Sequence, residues 1–416
     1  MTPPAPARAV FLRVTLPLSG MNFINSASRA LIATIGPLLA VEFSLSATEL
    51  GLLAAVFFAA YATAQMPIGA AMDIFGVRRV QIALGLTAAL GFALCALSSG
   101  VWTLALGRIV TGFGVAVGMI AMLTAHAHWT TRDKVVALTG IGVFLATSGG
   151  LAATLPAQTL LPFTGWRGLF WLLAAIALIV VLAIWRIMPD SHVGRARPAA
   201  LGREMAEFGR IFRHPAFWRT APAVALLSGL GFTYGGLWAG PWLRDVGGFD
   251  ETERASILAV FMLGMMLGSL LIGQAVGHLH RRGWPAMTMP VVSLGLVFVL
   301  QLLFALLPFS GFWPIAALWF AFTFVSAAGP AGYAAVAQRF PPELAGRVGT
   351  AMNFSMLVLV FVLQNAIGWI LDLWPRTATG GWDTRGYAGA WGLTILLQAV
   401  AMLGLLPSRA AQRTKR

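Results

Sequence analysis

Long apolar runs separated by short polar breaks fill this sequence. A helix needs about 20 predominantly apolar residues to cross the hydrocarbon core of a bilayer. Twelve runs of about this length are present, and an even number places both termini on one side of the membrane. We therefore predict an all-α membrane protein with twelve spans, at residues 14–40, 50–69, 80–99, 102–125, 136–158, 167–187, 217–240, 255–277, 286–307, 313–337, 350–372 and 388–407.

Composition and charge agree with a membrane protein. The chain is 58% hydrophobic and 10% charged, whereas soluble proteins have about 25% charged residues. Its net charge of +14 would suggest nucleic acid binding in a soluble protein. Here the Lys and Arg residues are concentrated in alternate loops, and the positive-inside rule places these loops and both termini in the cytoplasm. We expect a multi-pass protein of the inner membrane, in contact with the lipid bilayer and with no nucleic acid partner.

The longest polar connection divides the twelve spans into six and six. We predict a first bundle at residues 1–187, a cytoplasmic linker at 188–215 with a short interfacial helix, and a second bundle at 216–416. Two related bundles with a binding site between them near the midplane are typical of secondary carriers.

A short motif recurs after the second and the eighth spans and supports this division. The first copy contains Gly69, Asp73, Gly76, Arg78 and Arg79. The second copy contains Gly273, Gly277, Arg281 and Arg282. Both copies place a glycine before the loop and a basic pair after it, but Gly277 stands in the second copy where Asp73 stands in the first.

With this motif the chain resembles the major facilitator superfamily, whose signature between the second and third spans has the pattern of the first copy. Arg108, Gly112 and Gly114 in the fourth span resemble its second signature. The resemblance covers about residues 10 to 408 and implies two pseudo-symmetric six-helix bundles that rock about a central site. It also implies that Asp73 and the basic pairs gate the cytoplasmic side, as part of the set Gly69, Asp73, Gly76, Arg78, Arg79, Arg281 and Arg282. A positive-inside anchor with a helix-capping Asp is the alternative.

The first span contains an arginine that an apolar run should not contain. Arg29 has Ser26, Asn25 and Asn22 three, four and seven residues before it, so these side chains form one stripe on a helix. An Arg near the bilayer centre costs at least about 2.5 kcal/mol, so this stripe should face a cavity. Arg29 and Pro37 resemble a pattern of the anion:cation symporter family, whose arginine contacts a substrate carboxylate. Ser28 replaces the Asp of that pattern.

Other polar and aromatic residues are candidates for lining the same cavity. Arg108 either contacts substrate or bonds one helix to another. Arg29 itself has the alternative of bonding to helix carbonyls. In the second bundle we expect a second wall that contains Tyr234, Trp238, Tyr333, Asn353 and Gln364. Tyr234 and Trp238 are four residues apart and should share a helix face.

None of the 14 acidic residues lies in the middle of a span. A membrane-embedded Asp or Glu is the usual proton carrier, so its absence argues against carboxylate-coupled proton symport and against a cation-selective drug antiporter. No metal spacing, phosphate loop or nucleophile constellation is present, so we expect no enzyme activity, no cofactor and no metal.

These features predict a monomeric secondary transporter, a symporter or antiporter, that moves a small organic anion by alternating access. An exporter of amphipathic compounds, with an adaptable aromatic and Met-rich lining, is one alternative. A membrane sensor that has lost transport is another.

Overall fold

The computed structural model describes residues 7–405 except 117, 131, 191–199, 308–309, 342–343 and 379, and every regular element in this part is helical. In the first half, the spans are α1 (Leu16–Glu42), α2 (Ala47–Phe75), α3 (Val77–Ala96), α4 (Val101–Gly114, continuing as Gly118–Trp129), α5 (Arg132–Ala152) and α6 (Leu155–Ile187). A helix in the connecting segment follows as α7 (Ala200–Arg213).

The second half has the same number of spans. They are α8 (Ala221–Thr233, continuing through a π-helical turn at Tyr234–Trp238 to Ala239–Asp245), α9 (Glu251–Arg281), α10 (Thr288–Leu306), α11 (Phe312–Ser326, continuing as Gly329–Ala337), α12 (Ala345–Leu371) and α13 (Thr384–Leu403).

Eleven helices in the described part are long and apolar enough to cross a membrane, and α5 contains a shorter apolar helix at Leu138–Ala152. The fold therefore agrees with the prediction of twelve apolar helices. The boundaries differ most between α5 and α6, because α5 ends at Ala152 and α6 begins at Leu155. Gly165 then interrupts α6 with φ of 62°, a left-handed conformation that glycine adopts without a steric penalty.

The helices pack as two bundles that meet along four helices of the first half and three of the second. Within the first bundle α1 packs on α5 and α6, and α3 packs on α4 and α6; within the second, α9 packs on α11 and α8 on α12. Between the bundles, α2 lies along α12, α1 contacts α8, and α9 contacts α5 and α6. Helices α1 and α8 thus form facing walls at the centre of the molecule.

Helix α7 lies against the second bundle on the side where the two halves are connected, which we call the linker side. Phe208 and Ile211 on its apolar face join a buried cluster with Val348 and Met352 of α12. Glu207 forms an ion pair with Arg347, and its Oε2 lies 2.6 Å from Nη1 of the arginine. The polar segment therefore contains a helix, Ala200–Arg213, which is held to the second bundle; its location at the membrane interface stays a prediction.

Candidate functional site

Arg29 lies on α1 at the boundary between the two bundles. Its guanidinium stands 4.5 Å from the centroid of the Phe232 ring, which belongs to α8 in the other bundle. Nη2 of Arg29 donates to Ser26 Oγ at 3.4 Å, and Nε is buried with no hydrogen-bond partner in the described structure. None of the ion pairs among the described residues includes Arg29. The side chain keeps partial exposure, so a positive charge with unused donors lies at the boundary between the bundles.

Tyr61 of α2 completes the surroundings of this guanidinium. Asn25 Nδ2 donates to the Tyr61 hydroxyl at 3.5 Å, and Tyr61 lies near Arg29. Asn25 Oδ1 is buried with no partner in the described structure. An unused acceptor on Asn25 and unused donors on Arg29 therefore occur together, and buried polar atoms of this kind ordinarily have a partner.

Arg108 lies in a different environment from Arg29, although it too belongs to a span of the first bundle. Its side chain is 1% exposed. Nη1 donates to both the carbonyl and the Oγ of Ser28 at 2.9 Å, and the guanidinium lies 4.4 Å from the centroid of the Phe57 ring. Arg108 thus bonds α4 to α1, the helix-to-helix role that the sequence left open, and these contacts keep it separate from Arg29.

The polar stripe on α1 divides between two environments. Ser26, Asn25 and Arg29 lie together, but Asn22 is buried inside the first bundle. Asn22 Nδ2 donates to the carbonyl of Leu18 at 3.0 Å, and its side chain packs against Gly118 of α4. Asn22 therefore takes part in packing within the first bundle in this conformation.

Tyr234 and Trp238 of α8 point into different clusters. The Tyr234 ring stacks on Trp391 with centroids 4.2 Å apart, inside the second bundle. Trp238 instead contacts Trp382, and its ring lies against Gly51 of the first bundle. Both residues belong to a π-helical turn, Tyr234–Trp238, which interrupts the α-helical hydrogen bonding of α8.

The remaining candidates of the second wall are spread along the bundle. Gln364 is fully buried and donates from Nε2 to the Thr233 carbonyl at 3.0 Å, so it joins α12 to α8. Tyr333 and Asn353 are partly exposed, and Tyr333 packs against both apolar clusters of the second bundle. The structure thus brings Arg29, Asn25 and Ser26 together and separates the other candidates from them.

The side of the molecule away from the linker is closed by contacts between the bundles. Asp372, which follows α12, accepts the N–H groups of Ala47 and Thr48 at 2.9 and 2.8 Å, at the start of α2. Arg376 donates to the Leu45 carbonyl. Gly240 lies so close to α1 that a β-carbon there would be 1.9 Å from the Ala33 carbonyl oxygen. We call this set of contacts the opposite-side closure.

On the linker side, the first basic pair contacts its own bundle. Arg78 donates to the carbonyl of Trp185 near the end of α6, and Arg79 pairs with Asp190 at 3.5 Å. Gly76 separates α2 from α3 with φ of 82°, and the Cβ position of Gly69 has open space around it. Asp73 lies within α2, but its side chain is outside the described structure.

The second basic pair has no such partners. Arg281 and Arg282 are exposed at the end of α9, and neither side chain makes a hydrogen bond or an ion pair with a described residue. The two copies of the motif therefore differ in their contacts as well as in sequence.

Sequence reasoning missed three residues of this region. Tyr61 is one of only four tyrosines and lies inside an apolar span, which was a usable signal. Phe232 carries no signal, because phenylalanine is common in membrane spans. Ser28 stood out only as a departure from a family pattern, whereas it accepts both hydrogen bonds from Arg108 Nη1. The search of the described residues found no group of His, Cys, Asp and Glu that could hold a metal ion.

Known proteins resemble this chain in sequence and in fold. Residues 18–364 match the model of the Major Facilitator Superfamily. A probable sulfoacetate transporter, SauU of Cupriavidus necator, is 26% identical over 63% of this chain and 64% of its own length. Monocarboxylate transporter 11 of Homo sapiens is 32% identical over 63% of this chain and 55% of its own length. The matches thus span less than two thirds of these relatives.

A solved structure shares the fold over nearly the whole chain. It is a bacterial homologue of the human lysosomal transporter Spinster, in an inward-facing and unoccupied conformation, with a TM-score of 0.72 at 19% identity, covering 96% of each chain. The family match covers most of this chain, and the relatives are transporters and not enzymes. The chain is a multi-pass membrane protein that belongs to the major facilitator superfamily.

Proposed function

We propose that this transporter carries a small organic anion by alternating access, with Arg29 as the contact for the anionic group. One observation carries the proposal: a guanidinium with unused donors lies at the boundary between the bundles and has no carboxylate partner in the described structure. A planar guanidinium matches a carboxylate or sulfonate through paired, charge-assisted hydrogen bonds.

The contacts on both sides of Arg29 support a role in the transport cycle. Ser26 and Arg29 belong to the first bundle, whereas Phe232 belongs to the second. Movement of one bundle against the other would therefore change the environment of the guanidinium. A carrier requires such a site, because the substrate must be reached from each side in turn.

The direction of access follows from the closure. The opposite-side closure blocks entry from that side, so the site would be reached from the linker side in this conformation. The excess of Lys and Arg on the linker side supports a cytoplasmic location for it, with the closure facing the periplasm. The printed names of the relatives, a sulfoacetate and a monocarboxylate transporter, agree with an organic acid as substrate.

The proposal is tested by comparing ligands that differ only in their negative charge. Purified protein would be screened by thermal shift against pairs of carboxylic acids and their primary amides, each pair with the same carbon skeleton. We expect stabilisation by one or more acids and none by the matched amides. Stabilisation by an acid and its amide alike would contradict the assignment of Arg29 as the anion contact.

Transport is tested separately with the best acid of that screen. Proteoliposomes preloaded with unlabelled acid should accumulate the labelled acid by counterflow. A chain that binds the acid but exchanges none of it would be a sensor and not a carrier.

A further inference from the structure

A cavity of about 230 Å³ opens on the linker side of the second bundle, at the second copy of the repeated motif. It lies between the end of α9, the start of α10 and the second segment of α11. Its walls are mostly apolar, with Val276, Leu279, Met289 and Ala331 among them. Polar groups enter it from His280, Trp284 and Gln338.

The cavity occurs where the second motif lacks its carboxylate. Gly277 lines it at the position that Asp73 occupies in the first copy. A β-carbon at Gly277 would lie 3.6 Å from Nη1 of Arg281, an ordinary contact distance. The cavity is therefore next to an arginine that has no protein partner among the described residues.

Among the described residues, none neutralises the basic residues around this cavity. Arg281 and Arg282 are exposed, as are His278 and His280, and no described Asp or Glu lines the cavity. The first basic pair, in contrast, is held by the Trp185 carbonyl and by Asp190. A surface with an apolar groove and an uncompensated basic rim fits a molecule that has both an apolar chain and an anionic group.

We propose that this cavity binds the headgroup region of an anionic phospholipid, whose phosphate takes the place of the missing carboxylate. The apolar walls would contact the upper part of the acyl chains, and Trp284 is of the type that lies at headgroup level. The positions of Arg281 and Arg282 fit a juxtamembrane site, where each basic residue contributes about 1 kcal/mol, a factor of about five, to the binding of anionic lipid. A free phosphate ion has no apolar group that could contact the apolar walls.

The test is native mass spectrometry of the full-length protein in detergent, titrated with phosphatidylglycerol, phosphatidylcholine or inorganic phosphate. We expect one tight phosphatidylglycerol per chain. Arg281→Gln combined with Arg282→Gln should weaken it by about 25-fold, at about fivefold for each charge. Gly277→Asp should weaken it as well, because the new carboxylate would pair with Arg281.

Two variants serve as matched controls. Gly277→Ala adds a β-carbon without a charge, and Arg210→Gln combined with Arg213→Gln removes two exposed charges of α7 on the same side. Both should retain the tight lipid, and size-exclusion profiles identify any variant that fails to fold.

Several results would overturn the proposal. These are unchanged binding in Gly277→Asp and in the Arg281 and Arg282 variant, an equal loss in the α7 control, equally tight phosphatidylcholine, or displacement of the lipid by equimolar inorganic phosphate. The last result would identify a site for free phosphate.

Discussion

The carboxylate of Asp372 caps a helix of the other bundle, where it accepts the backbone N–H of Thr48 through Oδ2 at 2.8 Å. Its Oδ1 accepts the neighbouring N–H of Ala47 at 2.9 Å. A carboxylate at a helix N-terminus satisfies orphan donors and interacts favourably with the helix dipole. Because these two bonds join the bundles, opening of the opposite side would break them, so they favour the conformation that is closed on that side.

Replacing Asp372 with Asn should shift the protein toward opening on that side. The substitution removes the charge and one of the two acceptors, and loss of a cap costs about 1 kcal/mol, about a fivefold change in population. The measurement is the distance between spin labels at Phe163→Cys and Trp313→Cys, which are exposed on this side in different bundles. Cys95, the single native cysteine, would be replaced by Ala.

Asp383 provides the control for this variant. It caps α13 within the second bundle by accepting the N–H of Arg385 at 2.8 Å, and its bonds with Arg385 lower the pKa of its carboxyl to about 2. It is therefore ionised at neutral pH, and Asp383→Asn also removes one negative charge. If the distance between the spin labels increased equally in Asp372→Asn and Asp383→Asn, the effect would not come from the contact between the bundles.

Gly240→Ala should disturb the same closure by a steric route. Its β-carbon would lie 1.9 Å from the Ala33 carbonyl oxygen, whereas nonbonded atoms need about 3.5 Å, so α8 and α1 would have to separate. We expect a broader and longer distance between the two spin labels. Gly295→Ala is the matched control, because open space surrounds that position. An unchanged distance in Gly240→Ala would contradict the packing of α1 against α8.

Arg29 and Arg108 should respond differently to substitution. Arg108→Gln removes charge-assisted bonds to Ser28, each worth about 1.5–3 kcal/mol, so we expect a clear fall in the thermal unfolding temperature. Ser28→Ala should cause a smaller fall, because the Ser28 carbonyl remains as an acceptor. Arg29→Gln should leave the unfolding temperature nearly unchanged. A larger destabilisation by Arg29→Gln than by Arg108→Gln would show that these two roles are reversed.

The fold could be predicted from the sequence more completely than the site. The apolar runs and the repeated motif predicted the twelve helices, because helix length in a membrane is set by bilayer thickness. The helical period also placed Arg29 beside Ser26 and Asn25. Helix periodicity describes a single helix, however, and Tyr61 and Phe232 approach Arg29 from other helices. Their positions depend on how the bundles pack.

Local backbone irregularities explain the other differences. Tyr234 and Trp238 lie in a π-helical turn after Thr233 and contact separate clusters, and no propensity in Tyr-Gly-Gly-Leu-Trp predicts this turn. The boundary between α5 and α6 falls between Ala152 and Leu155, and α6 then continues past the break at Gly165. Ser28 was interpreted through a family pattern, although a hydroxyl and a carbonyl on one residue suffice to hold the guanidinium of Arg108.

The role of Arg29 is the central claim, and uptake by proteoliposomes tests it most directly. The labelled acid that best stabilises the wild-type protein would be compared among the wild type, Arg29→Gln and Arg29→Lys at equal amounts of inserted protein. Truncating one partner of a desolvated charge pair costs about 2–5 kcal/mol, so we predict that Arg29→Gln lowers the apparent affinity by about 100-fold. Arg29→Lys should recover part of it, because the charge remains without the planar fork. Uptake by Arg29→Gln with wild-type affinity would contradict the account.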